Sequence, residues 1–173
     1  REVVVVSGVR TAVGTFGGSL KDTPPTALGA MVVKEALARA GVAGADVGHV
    51  VFGNVVHTEP RDMYLARVAA LDGGVAQGTP CLTLNRLCGS GLQAIISAAN
   101  TIQLGDADIA IGGGAENMTR APYAMPTGRF GQRMGDAKIV DMMVAALHDP
   151  FHNIHMGVTA ENVAAKWGIT RQM

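Results

Sequence analysis

Two cysteines and five histidines are the side chains best suited to covalent chemistry in this 173-residue chain. Cys88 stands in the run Asn85-Arg86-Leu87-Cys88-Gly89-Ser90-Gly91-Leu92-Gln93. There a short strand pattern, Pro80 to Asn85, gives way to a tight turn and then to a very apolar helix pattern that reaches Leu104. In open α/β sheets, ligands gather outside the carboxyl ends of the strands. A thiol in that place meets the positive end of a helix and its unsatisfied N–H groups, which favour negative charge. The thiolate is the attacking form of cysteine, so the position suits a nucleophile. Gly89 and Gly91 remove Cβ atoms beside the sulfur and leave room for a substrate carbonyl. The same spacing also admits a buried, inert cysteine, the commonest state of a free thiol.

Other chemistry-bearing groups are weaker. Cys81 lies inside the preceding strand pattern between Pro80 and Leu82, with no helix start and no adjacent base, and reads as core filler. A nucleophile elbow of the G-x-S-x-G kind lacks its first glycine at Arg86. Gly112-Gly113-Gly114 is a glycine run at a strand end, but it matches neither a dinucleotide fingerprint nor a P-loop, and reads as a tight turn. His148, His152 and His155, with Asp149 beside them, would suit a metal on one helix. Pro150 interrupts that helix, so the three rings need not share a face, and no metal site is expected. His155-Met156-Gly157, ahead of a helix pattern from Thr159 to Trp167, reads better as a pocket wall.

The elements that must position these groups follow from apolar spacing. Val3 to Val9 is a β-branched run suited to a buried strand. Leu28, Met31, Val32, Ala36, Leu37 and Ala40 repeat at helical spacing over residues 26–40, with Gly41 as a C-cap candidate. Strands are expected within Val47 to Val56, at Pro80 to Asn85 and from Asp108 into Gly112. Helices are expected over Asp62 to Leu71 and Gly89 to Leu104, the latter apolar around most of its circumference and stopped by Gly105. The order is βαβαβαβ, which predicts an α/β fold: a mostly parallel sheet with helices on both faces. After Glu116 the texture changes to Met, Pro, Gly and Arg without a clear period. The expected division is therefore a core at 1–116 and a loop-like excursion at 117–173, with a short helix at Asp136 to Leu147.

Composition narrows the partners. Fourteen basic and fourteen acidic residues give zero formal charge, so no global field attracts nucleic acid or anionic lipid. No apolar run approaches the ~20 residues that span a bilayer. Two cysteines are too few for a disulfide scaffold, so a soluble protein of a reducing compartment is expected. Its 23 glycines, about twice the usual share of roughly 7%, point to tight turns and close backbone approaches.

The run Asn85 to Ala94 resembles the acyl-nucleophile signature of the thiolase family. Val5-Val6-Ser7-Gly8-Val9-Arg10-Thr11-Ala12-Val13-Gly14 is similar to the family's first strand and turn. Gly112-Gly113-Gly114-Ala115-Glu116-Asn117-Met118-Thr119 resembles the block after its fourth strand. His155-Met156-Gly157-Val158-Thr159-Ala160-Glu161-Asn162-Val163-Ala164 resembles the motif in its loop (lid) domain. The resemblance runs in register over essentially the whole chain and is closest to the bacterial acetyl-CoA acetyltransferase, or β-ketothiolase, branch.

That resemblance implies a thiolase-like N-terminal half followed by the start of a loop domain. It implies Cys88 as the nucleophile that becomes an acyl-thioester, with its own backbone N–H in an oxyanion hole. It implies Leu147, His155 and Met156 as substrate-pocket residues against a coenzyme A thioester. The reaction would be the reversible Claisen condensation of two acetyl-CoA, or thiolysis of a 3-ketoacyl-CoA, by ping-pong covalent catalysis. The implied substrate is acetyl-CoA or another acyl-CoA, with no separate cofactor. The implied assembly is a cytoplasmic homotetramer, a dimer of dimers, in fatty acid or polyhydroxyalkanoate metabolism, with no nucleic acid and no membrane partner. Thiolases also use a histidine in a Gly-His-Pro motif and a second cysteine in a Cys-x-Gly-Gly motif, and neither motif occurs here. The expectation is therefore the amino-terminal part of a thiolase, with the C-terminal half absent. The alternatives are a truncated, non-catalytic acyl-binding or assembly module and a related ketoacyl synthase-type condensing enzyme.

Overall fold

Consecutive prolines at 24 and 25 pre-set a helical first turn where no N–H is needed. Helix α1 accordingly spans Pro25–Ala40 in the computed structural model, which describes residues 1–173. Gly41 ends it in the left-handed region at φ 64°, as the spacing predicts. Strand β1 (His49–Gly53), helix α2 (Leu65–Asp72), strand β2 (Cys81–Leu84), helix α3 (Ser90–Leu104) and strand β3 (Ala110–Gly114) follow in turn. The three strands form a parallel sheet in the order β2-β1-β3, with Gly53 level with both Leu84 and Gly114.

Why this sheet holds is visible along β1. Val50 and Phe52 are buried against Val33 of α1 and against Leu65, Ala66 and Ala69 of α2. Val51, facing the other way, is buried against Ala94 and Ala98 of α3. A strand covered on both faces needs apolar residues at successive positions rather than alternating ones. Burying each such side chain is worth about 1.5–3 kcal/mol. The expected α/β class, with helices on both faces of a parallel sheet, is the observed one.

Three expectations are corrected within the first 120 residues. Val3 to Val9 is not a paired strand: Val4, Val5 and Val6 are 68%, 84% and 67% exposed. β-Branched residues favour extended backbone, but a strand also needs a ladder partner, and none pairs with this segment. Side chains tether it instead: Ser7 Oγ donates to Ala36 O at 2.9 Å and Arg1 pairs with Asp108 at 2.8 Å. The helix expected over Asp62 to Leu71 splits into a 3₁₀ turn at Pro60–Tyr64 and then α2. Asp62 explains the split: its buried carboxylate accepts from Thr58 N at 2.7 Å, Thr58 Oγ1 at 2.8 Å and Glu59 N at 3.2 Å, which fixes a capped turn ahead of the helix. Finally, α3 is not buried all round. Its small residues Ala94 and Ala98 face the sheet, while Leu92, Ile95 and Ile96 lie open.

The chain divides into two compact units, Arg1–Arg120 and Ala121–Met173. The second unit contains a two-stranded antiparallel ribbon, β4 (Tyr123–Ala124) with β5 (Val140–Asp141), then helices α4 (Met142–Ala146) and α5 (Met156–Trp167). Where one helix is expected over Asp136 to Leu147, Asp141 starts a short one. Its carboxylate accepts from Met143 N at 2.9 Å and Val144 N at 3.2 Å, an N-cap that leaves residues 136–139 outside. Helix α5 begins three residues earlier than the Thr159 start that apolar spacing suggests, because the His155 side chain caps it. No helix is long and apolar enough to cross a membrane.

Candidate active site

The carboxyl ends of the three strands meet in one cross-linked edge. Asn54 N donates to Leu84 O at 3.0 Å and Ala115 N donates to Gly53 O at 3.1 Å. Asn54 is buried, and its Nδ2 donates to Ala115 O at 3.0 Å and to Glu116 Oε1 at 2.9 Å. Glu116 also accepts from Val55 N at 2.8 Å and Val56 N at 3.0 Å. Burial pushes the Glu116 carboxyl above its ordinary range, against the opposing pull of the Val55 and Val56 N–H groups. The Asn54 and Glu116 side chains thus fasten the end of β1 to the end of β3.

Cys88 follows β2 by four residues at this edge and is exposed. It precedes the N-cap, Gly89, of the 15-residue α3, so it stands beside the positive end of that helix. The turn that carries it is unusual. Leu87 has φ 47°, in the left-handed region, which costs a non-glycine residue roughly 1–2 kcal/mol. Five hydrogen bonds hold it, one of them Gly89 N donating to Arg86 O at 3.1 Å. Leu87 N donates to Asn85 Oδ1 at 2.8 Å, and Arg86 N donates to Ser90 Oγ at 2.8 Å. Ser90 Oγ donates to Leu87 O at 2.6 Å, and Ser90 N donates to the same carbonyl at 3.0 Å. Arg86 then reaches the Gln93 side-chain carbonyl, and Gln93 Nε2 reaches Ser97 Oγ at 3.1 Å along the first turns of α3.

The other thiol behaves differently. Cys81 is half-buried against the core and its Sγ lies 3.5 Å from Thr79 O. Burial pushes its thiol up, with Arg67 pulling the other way, which keeps sulfur in the unreactive protonated form. The chain therefore holds one exposed and one packed thiol.

The glycines fall partly where expected. A Cβ on Gly91 would meet nothing within 4 Å, so the space beside the first turn of α3 is open. Gly112, by contrast, serves packing: a Cβ there would lie 2.6 Å from Ile95 Cα. Gly53 does the same for Ser90, whose Cβ would be 2.6 Å away. The glycine run is therefore not the expected tight turn but part of β3: Gly112 lets α3 approach the sheet, while a Cβ on Gly113 would meet the Phe52 ring at 3.1 Å and one on Gly114 would meet Gly53 O at 2.9 Å.

Leu147, His155 and Met156 come together in the second unit. Met156 N donates to Leu147 O at 2.9 Å, and the rings of His148 and His155 meet edge to face at 5.3 Å. His155 Nδ1 accepts from Gly157 N at 3.0 Å, which leaves Nε2–H as the donor available to a ligand. His148 Nδ1 lies 2.8 Å from Val144 O, and His152 Nδ1 lies 2.9 Å from Asp149 Oδ2. The Asp149 carboxyl is held low, chiefly by the His152 backbone N–H. Each of the three rings thus has a separate local partner. Sequence reading missed Asn54 and Glu116, because nothing in their spacing shows which strand ends will meet, and Asn85 and Ser90, because their bonds to Arg86 and Leu87 depend on the backbone of the turn.

A parallel sheet whose carboxyl edge presents one exposed thiol ahead of a helix defines an α/β protein with a candidate reactive site at that edge. The family described as "Thiolase, N-terminal domain" matches residues 3–173. Beta-ketothiolase BktB of Cupriavidus necator is 74% identical over 171 residues, which is 99% of this chain and 43% of that protein. An acetyl-CoA acetyltransferase of the same organism is 51% identical over 172 residues, again 99% of this chain and 44% of that protein. The crystal structure of the Bacillus anthracis acetyl-CoA acetyltransferase superposes with a TM-score of 0.92 at 41% identity, covering 97% of this chain and 42% of that one. The chain belongs to the thiolase family. It spans less than half the length of the relatives it matches.

Proposed function

We propose that this chain is the nucleophile-bearing part of an acyl-CoA acyltransferase of the acetyl-CoA acetyltransferase, or β-ketothiolase, type. The observation that carries the reading is the exposed Cys88, held on a tethered turn at the carboxyl edge of a sheet within a thiolase-family chain. Cys88 Sγ attacks the acyl carbon of an acyl-CoA. The carbon–sulfur bond to coenzyme A breaks, the coenzyme A thiolate leaves, and the acyl group rests on Cys88 as a thioester. Backbone N–H groups at the start of α3 suit the negative charge that develops on the acyl oxygen, with the Cys88 N–H as the oxyanion donor. A second acetyl-CoA, deprotonated at its methyl carbon, attacks the thioester, forming a carbon–carbon bond and releasing Cys88. The reverse direction cleaves a 3-ketoacyl-CoA.

Leu147, His155 and Met156 form the substrate-contacting set in this reading, with His155 Nε2–H as a donor to the bound thioester. The histidine and second cysteine that the family uses for proton transfer belong, by the resemblance, to the length of thiolase outside these residues. A homotetramer acting in the cytoplasm, in fatty acid or polyhydroxyalkanoate metabolism, belongs to the same proposal. Incubation with acetyl-CoA tests it. Intact mass is expected to show one acetyl group on the wild-type chain and none on Cys88→Ser, and a folded wild-type sample that stays unmodified contradicts acyl transfer by these residues alone.

A further inference from the structure

We infer that Ser90 is a positioning residue for the nucleophile, acting through the left-handed turn at Leu87. The inference deepens the reading of Cys88 as acyl carrier. Leu87 occupies a backbone region that a branched side chain avoids, and such a conformation persists only where its surroundings over-determine it. The Ser90 hydroxyl supplies that determination from both sides of the residue. It accepts from Arg86 N, just before the turn, and donates to Leu87 O, just after it. Both bonds are made by an oxygen whose residue is only 5% exposed, so water does not readily replace them.

Ser90 is itself seated on the sheet. Gly53 ends β1, and a Cβ on it would lie 2.6 Å from Ser90 Cβ and 2.8 Å from Ser90 C. The absence of that Cβ lets Ser90 close directly on the strand end. Support therefore runs from the central strand to Ser90, from Ser90 to the Leu87 turn, and from that turn to the adjoining Cys88. Asn85 adds a second clamp through Leu87 N. Without the hydroxyl, Leu87 is expected to relax toward ordinary backbone angles, swinging Cys88 away from the start of α3.

Two variants separate this from a merely structural role. Ser90→Ala removes both bonds. Leu87→Gly, added to it, removes the reason the bonds are needed, since glycine adopts φ 47° without penalty. The first readout is amide hydrogen exchange of the segment 85–93 in the 173-residue chain. The second is the rate at which acetyl-CoA acetylates Cys88, set against alkylation by iodoacetamide, which needs no fixed approach. Ser90→Ala is expected to speed exchange in that segment and slow acetylation, each about tenfold, with alkylation changed less than about twofold. The double variant is expected to recover at least half of both losses on a logarithmic scale. Unchanged exchange in Ser90→Ala overturns the inference. So does a double variant that shows no recovery while melting like wild type. Should the wild type itself resist acetylation, acyl transfer by these 173 residues alone fails, and the exchange measurement by itself decides the tether.

Discussion

At the scale of single residues, the edge of the sheet depends on a carboxylate and an amide as much as on the thiol. Glu116 accepts three hydrogen bonds from Asn54, Val55 and Val56, and burial raises its carboxyl above the ordinary 4.5. A raised folded-state value means that the fold favours the protonated group. That contribution is complete below pH 4.5 and is lost as pH rises through the raised value. Urea unfolding across this range is therefore expected to show wild type losing stability relative to Glu116→Gln as pH increases from 4.5. Parallel pH profiles for the two proteins would contradict it. The place of Cys88 ahead of a helix was legible from its neighbours in sequence, since a glycine-rich strand-to-helix turn is a local pattern. Glu116 was not, because its partners Asn54, Val55 and Val56 lie past the end of another strand; nor was Ser90, whose bonds to Arg86 and Leu87 depend on the left-handed backbone of the turn.

At the scale of elements, the helices and three of the four strands followed from apolar period and capping residues. Val3 to Val9 shows where that reasoning stops: propensity predicts an extended backbone but supplies no partner. α3 shows a second limit. Leu92, Ile95 and Ile96 share the apolar character of Ala94 and Ala98, so hydrophobicity alone did not tell the sheet-facing side from the open one. Side-chain size does, because only the alanines fit a helix lying this close to β3. Gly112 is the counterpart on the strand, with Ile95 Cα 2.6 Å from its absent Cβ. Gly112→Ala is expected to cost about 1–3 kcal/mol by overpacking and to lower the melting temperature by roughly 2–12 °C. Gly91→Ala, which meets open space, is the control and is expected to fall well short of that in calorimetry. Equal melting temperatures for the two variants would show that α3 does not need the glycine.

At the scale of the whole chain, the open side of α3 is one apolar face left uncovered. Leu92 is 66% exposed, Ile95 49% and Ile96 41%, at the i, i+3, i+4 spacing of one face, with Leu87 at 60% next to its start. A contiguous apolar stripe of this kind marks an interaction surface. The 173-residue chain is expected to self-associate at micromolar concentration. Leu92→Lys with Ile96→Glu is expected to weaken that association at least about tenfold in sedimentation velocity, with the helical signal retained. Identical sedimentation of the two would contradict an adhesive α3 face.

The central proposal is that Cys88 carries an acyl group. The most direct measurement joins these 173 residues to the remaining sequence of the Cupriavidus necator β-ketothiolase. The folded protein is then quenched in acetyl-CoA, and the modified residue is located by peptide mass spectrometry. The account predicts an acetyl thioester on the Cys88 peptide, none on the Cys81 peptide, and discharge of the acetyl group by added coenzyme A. A folded protein acetylated elsewhere, or left unmodified at Cys88, would contradict it.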